Sequence, residues 1–257
     1  MSIRLLFVYL LFFFITGCSF SEEEKDLRKV AANGLSPKSL YETAEGSIKS
    51  GSLDKGIEEY ELILAAYPNS KYAIQARLDI AYNLFKQKKY NRATIELEKF
   101  IKKHPNIAST PYAYYLRGII AEEKSSSILD DLITDNAQRD VESVKDAYLY
   151  FIELIETYPD STYSTDASAK LVGLKNTLAR HEFYVALYYT DIKSHIAAIN
   201  RCKFVIENYP NSASIPDALH LMAYNYDIIN VDKLAIDTRK ILTSNFPTYV
   251  ARYSVKK

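Results

Sequence analysis

Tryptophan is absent from the 257 residues, and there are only 7 glycines, 2 cysteines and 2 methionines. So few glycines leave little material for phosphate-cradling loops or tight strand hairpins, and they favour long helices. Neither charge is in excess, with 32 Lys and Arg against 32 Asp and Glu. That balance removes any global electrostatic drive toward nucleic acid or a strongly anionic surface. No Gly-x-Gly-x-x-Gly, Gly-Lys-Ser/Thr, Gly-x-Ser-x-Gly or His-Glu-x-x-His pattern occurs. The histidines, His104, His181, His195 and His220, have no zinc-ligand spacing. The acidic stretch Asp130-Asp131 to Asp135-Asn136 lacks the glycine turn and closing glutamate of a calcium loop. The expectation is a protein without metal, cofactor or catalytic centre, although residues brought together from distant segments stay open as an alternative.

What is present begins with one long apolar run, Leu5 to Ile15, behind Arg4. Eleven helical residues reach roughly 17 Å, short of a ~30 Å hydrocarbon core, so the run reads as a secretory signal over 1–17. It ends in Ile15-Thr16-Gly17-Cys18, which resembles a bacterial lipobox. Cys18 is then the expected lipidation site, its sulfur carrying diacylglycerol and its new amine a third acyl chain. At roughly 0.8 kcal/mol per buried methylene, three chains anchor permanently. Ser19, where aspartate would retain a lipoprotein in the inner membrane, permits passage to the outer one. Residues 18–34, with Glu22-Glu23-Glu24-Lys25-Asp26, read as a solvated tether. With Cys18 acylated, Cys202 has no disulfide partner and is expected to be a small buried hydrophobe.

The remainder repeats. Five segments end in an aromatic residue or histidine followed by proline: Tyr67-Pro68, His104-Pro105, Tyr158-Pro159, Tyr209-Pro210 and Phe246-Pro247. Twelve residues before each proline stands a small residue: Gly56, Ala93, Ala147, Ala198 and Ala235. Five before it stands an apolar one: Ile63, Phe100, Leu154, Val205 and Leu242. Further upstream come Ala44, Ala81, Gly118, Ala186 and Ala223. This is the pattern of the tetratricopeptide repeat. Small residues let two antiparallel helices approach, the apolar residue fills the layer against the next hairpin, and proline ends the second helix. The spacing predicts an all-α solenoid of five helical hairpins, with helices near 37–50, 53–66, 71–87, 90–103, 111–123, 140–157, 163–191, 194–208, 215–229 and 232–245. Ser36-Pro37 and Thr110-Pro111 read as capped helix starts, with Ser214 and Pro216 near another. The prolines lie 37, 54, 51 and 37 residues apart. An insertion near 124–139 accounts for one excess and a long strut helix from Tyr163 to Asp191 for the other. The strut divides the reading into an N-terminal lobe, 35–160 with repeats 1–3, and a C-terminal lobe, 161–257 with repeats 4–5.

Such solenoids bind peptides along the first helices of their hairpins. The repeat phase points Tyr41, Tyr82, Phe85, Tyr112 and Tyr115 toward that groove, with interhelical packing as the alternative. Tyr41, Tyr82, Phe85 and Tyr115 are the candidate peptide contacts. Beyond the repeat, the chain resembles the BamD family of outer-membrane β-barrel assembly lipoproteins. The likeness rests on Leu78-Asp79-Ile80-Ala81-Tyr82, Arg117-Gly118, Arg139-Asp140, Thr165-Asp166-Ala167, Leu178-Ala179-Arg180, Val185 to Thr190, and Asn200-Arg201. The resemblance implies a scaffold on the periplasmic face of the outer membrane, not an enzyme. Its implied partners are unfolded outer-membrane β-barrel proteins and the BamA-type barrel subunit, through that subunit's periplasmic domains. It places Arg201 in the BamA-facing lobe, against the alternative of a solvated arginine. Further assembly lipoproteins are left open, and an adaptor for peptidoglycan enzymes is the competing reading.

Overall fold

The structure is a computed structural model that describes residues 34–125 and 141–255. The expected signal sequence 1–17, Cys18, the tether up to residue 33 and most of the 124–139 insertion lie outside the described residues. Among those described there are ten helices and no strand: α1 (Pro37–Lys49), α2 (Leu53–Ala66), α3 (Lys71–Lys86), α4 (Tyr90–Lys103), α5 (Thr110–Ser125), α6 (Glu142–Thr157), α7 (Thr162–Asp191), α8 (His195–Asn208), α9 (Ile215–Ile228) and α10 (Asp232–Asn245). They form the tetratricopeptide-type helical hairpins that the repeat demands.

The helix ends follow local chemistry. Ser36 caps α1 by accepting from the Ser39 N–H at 3.1 Å, with Pro37 at the first helical position. Thr110 departs from the expected cap. It lies inside α5, and its hydroxyl donates to the His104 carbonyl at 2.5 Å. Ser164 repeats this bond one hairpin later, donating to Tyr158 O at 2.6 Å. Both hydroxyls tie a helix start to the loop before it. The second helix of every hairpin ends two residues before the proline. Tyr67, His104, Tyr158, Tyr209 and Phe246 all have φ from −135° to −123° and ψ from 55° to 63°. Proline's ring disfavours helical geometry in the preceding residue, and its missing N–H ends the ladder.

The chain forms two compact units divided between Asn83 and Leu84. In the first, α1 packs on α2, and Ala44, Ile57, Tyr60 and Ile63 are buried. Gly56 is required at this crossing, since a Cβ would stand 2.5 Å from Ile48 Cδ1 and 3.1 Å from the Ala44 carbonyl.

In the second unit consecutive helices from α4 to α10 pair, and α5 touches α7 as α7 touches α9. Ala93, Ala147, Ala186, Ala198 and Ala235 have no exposed surface, as the phase required. Helix α7 is unbroken over 30 residues, roughly 45 Å. Its Leu174 and Leu178 join a core with Phe151 and Leu154 of α6, while its Ala179, Phe183 and Ala186 join another with Cys202, Val205 and Leu221. One helix thus carries both cores. The lobe boundary read at 160/161 does not coincide with the division at 83/84, because α7 packs as closely on the helix before it as on those after it.

Candidate functional site

In the first unit, the groove tyrosines form a carboxylate-centred cluster. The Tyr41 ring lies 5.3 Å from that of Tyr60 and 5.7 Å from that of Tyr72. Its hydroxyl donates to Asp79 Oδ2 at 2.5 Å, and Gln75 Nε2 donates to Oδ1 at 3.0 Å. Burial raises the Asp79 carboxyl above its usual range, and these two hydrogen bonds only partly offset it. The Tyr41 phenol is pushed up in turn, by burial first and then by its bond to Asp79. Tyr82 projects from α3 with 42 % of its surface exposed.

The second unit carries a cluster of the same design. Tyr115 lies 5.3 Å from Tyr163 and 5.9 Å from Phe151, and its hydroxyl donates to Asp166. Burial and that carboxylate raise its phenol well above the ordinary value. Tyr112 completes the group, 5.6 Å from Tyr163. Tyr41 and Tyr115 each precede a small residue, Ala44 and Gly118, by three positions. Tyr72 and Tyr163 each follow a repeat proline by four. In the first and third hairpins, therefore, one tyrosine of the first helix stacks on the tyrosine that opens the next hairpin and is tied to a carboxylate there. Both rings are half-buried, so the groove reading and the packing reading describe the same side chains. Phe85 stands 6.2 Å from Tyr90.

Sequence reasoning did not assign the two acceptors, Asp79 and Asp166. Their signal was present, since a carboxylate recurs within two turns of the tyrosine that opens the hairpin. The Arg117-Gly118 pair also acquires a meaning. Gly118 leaves room for the Phe151 ring, where a Cβ would lie 2.7 Å from Cδ1. Arg117 is buried, pairs with Glu153, and lies 5.0 Å from the ring centre of Tyr114 and 4.1 Å from that of Tyr150. Both residues clamp α6.

Arg201 leaves α8 with 43 % of its side chain exposed, and its Nη1 bonds Glu182 Oε2 of α7 at 2.9 Å. The arginine is thus oriented within its own chain. Cys202 is buried, and loss of solvent pushes its thiol up to about 12, so it packs as an apolar residue. His195 is tied into a polar chain: its Nδ1 meets Asn225 Oδ1 at 2.7 Å, and the buried Asn225 donates to Thr190 at 2.9 Å. No helix among the described residues is long and apolar enough to cross a membrane.

Residues 34–242 match the YfiO family, described as outer membrane lipoprotein. The chain belongs to that family. Family relatives agree over most of their length. The outer membrane protein assembly factor BamD of Neisseria gonorrhoeae is 34 % identical over 81 % of this chain and 78 % of its own. The protein of that name from Xylella fastidiosa strain 9a5c is 30 % identical over 93 % of this chain and 80 % of its own. That from Pasteurella multocida is 28 % identical over 93 % and 89 %. Among solved structures, a tetratricopeptide repeat protein from Parabacteroides merdae covers 86 % of this chain and 71 % of its own, at 13 % identity and a TM-score of 0.42. The family is thus one of outer-membrane-associated assembly factors.

Proposed function

We propose that this protein is the lipid-anchored periplasmic scaffold of an outer-membrane β-barrel assembly complex. In this reading Cys18 carries the lipid, and the chain holds unfolded barrel-protein tails and the periplasmic domains of a BamA-type subunit. The observation that carries it is the recurrent tyrosine–carboxylate cluster on first helices. A phenol fixed by a carboxylate presents a pre-oriented ring face, which suits extended chains bearing aromatic residues at low entropic cost. Tyr41 and Tyr115 contribute these faces, and Tyr82 and Phe85 are the further proposed peptide contacts. Crosslinkers at the four positions should capture a synthetic barrel tail ending in phenylalanine. The same tail without its terminal aromatic should compete at least tenfold less well. Equal competition by both peptides would leave general stickiness as the better account.

Arg201 is the proposed contact to an acidic group of the barrel subunit. Its pairing with Glu182 supports this, because the second residue aims the guanidinium while much of the side chain stays open. The pairing also decides the test, since a glutamate at 201 would repel Glu182 as well as any partner. Arg201→Lys keeps the charge and loses the planar fork. Weaker association in Arg201→Lys, with an unchanged helical melting curve, supports the contact; full retention moves it elsewhere on α7 to α10.

A further inference from the structure

After α10 the chain does not leave the second unit. Residues Phe246 to Val255 fold back, and Phe246, Tyr249, Tyr253 and Val255 pack on the core shared by α7, α8 and α9. Residues 251–255 have no regular secondary structure, so side chains attach them. Tyr253 meets the Phe183 ring edge-on at 5.0 Å and the His220 ring at 5.7 Å. Its hydroxyl lies 2.8 Å from His220 Nδ1. Tyr249 lies 5.7 Å from His220 and donates to Asp217 Oδ1 at 2.6 Å. Val250 between them is 75 % exposed.

The register of these contacts carries the point. Phe183 precedes the small residue Ala186 by three, and His220 precedes Ala223 by three. These are the positions of Tyr41 and Tyr115 in their own hairpins. In those hairpins the ring is covered by a tyrosine from the next hairpin, and its own hydroxyl donates to a carboxylate there. Here an extended segment supplies the tyrosines, and Asp217, on the same first helix as His220, accepts from Tyr249. Beside it a cleft of about 460 Å³ stays open between α7 and α9, bordered by Asn176, Thr177, Arg180 and Tyr184. An extended segment with aromatic rings four residues apart is therefore already seated where first helices present their ring faces. Arg180 and Arg252 border the unfilled part together with Asp217.

We propose that the α7–α9 cleft is a binding site for extended peptides with spaced aromatic residues, and that residues 249–255 are its displaceable internal ligand. The site takes tyrosine or phenylalanine on Phe183 and His220. That its external ligands are barrel tails rests on the function proposed above; that the cleft takes such peptides does not. An attached ligand acts at an effective concentration on the order of millimolar, so it screens out weak peptides and yields to strong ones.

The test uses the full chain in detergent and a fluorescent peptide copying residues 246–255. The intact chain should bind it weakly, because its own segment occupies the cleft. Full-length Tyr249→Ala/Tyr253→Ala should bind it at least tenfold more tightly, and a copy with both tyrosines changed to serine should not bind. Equally weak binding by the two chains, with the helical melting curve kept, overturns the proposal. If the double variant loses its melting transition, hydrogen exchange of the intact chain decides. A hundredfold excess of a phenylalanine-ended barrel-type peptide or of the 246–255 copy should speed exchange at Ala251 to Val255, and unchanged exchange with both overturns the proposal. Binding of the copy without competition from the barrel-type peptide upholds the site and removes barrel tails as its ligand. Barrel-peptide crosslinks at Tyr41 or Tyr115 with no binding of the copy overturn the site and leave the function intact.

Discussion

Replacing glycine by alanine should have opposite effects at two positions of the second unit. Gly118 on α5 faces the ring of Phe151, which has no exposed surface. An added Cβ would lie 2.7 Å from Cδ1 and 2.8 Å from Cζ. Real contacts do not reach such distances, so the ring or the helix must shift. The ring is fully buried and also packs on Tyr115, 5.9 Å away, so it cannot swing aside as a lysine tip would. Overpacking of this kind destabilises by about 1–3 kcal/mol. Alanine's better helix propensity returns about 1 kcal/mol, so the net loss for Gly118→Ala reaches about 2 kcal/mol at most. Gly173, in the middle of α7, has nothing within 4 Å of its added Cβ. There only the propensity acts, and Gly173→Ala should stabilise by roughly 0.8–1 kcal/mol. At about 2–4 °C per kcal/mol for a unit of this size, Gly118→Ala should lower Tm by up to about 8 °C, and Gly173→Ala should raise it by about 2–4 °C. Calorimetry of both variants is the assay. Phe151→Leu should destabilise alone yet absorb part of the Gly118→Ala penalty in the double variant, a non-additivity that only contact produces. If Gly118→Ala raises Tm as Gly173→Ala does, the wedge of Phe151 against α5 is wrong.

Other expectations are independent of that one. Asp79 has a folded pKa above its unfolded value, so the folded state holds the extra proton, and the first unit should gain stability as pH falls toward the carboxylate range. The stability–pH curve of Asp79→Asn should lack this term, and identical slopes for variant and parent would refute the buried carboxylate. Ala198→Leu, at a site with no exposed surface, should destabilise by about 1–3 kcal/mol in a chemical melt, and an unchanged midpoint would void the repeat phase. Cys18→Ala should abolish acyl labelling and co-sedimentation with outer membranes; unchanged labelling would sink the anchor.

Most of the helical architecture was legible because it rests on short-range rules. Proline five residues after a buried apolar position, and small residues twelve apart, fix helix ends and crossings through sterics that act within one hairpin. Predicted and observed helix bounds accordingly differ by at most two residues. The departure at Thr110 has the same origin, since a hydroxyl before proline reads as a cap until the preceding loop is close enough to receive it. Side-chain partnerships between helices were harder to read. Asp79 reaches Tyr41 across the first helices of neighbouring repeats, and Glu182 reaches Arg201 between the two helices of one hairpin, relations that the repeat phase gives only for residues inside the pattern. The return of Tyr249 and Tyr253 onto His220 was illegible for a plainer reason. The segment after α10 carries no repeat, and only the folded unit shows that the last first helix lacks the neighbour that would cover its ring.

Helix α7 gives the second unit a property that arrays of separate hairpins lack. Where every repeat has its own pair of helices, the end repeats can fray one at a time. Here residues 174–178 and 179–186 belong to two cores along one uninterrupted rod. Losing the α8–α10 core would strip roughly half the rod of its cover, and a bare helical stretch of that length is marginal in water. Its melting would then run back into the turn that carries Leu174 and Leu178. Amides along α7 should therefore exchange as one cooperative group, at the opening free energy of the whole second unit. A push at one end of such a rod reaches the other before any hairpin lets go, which makes the unit a lever rather than a string of hinges.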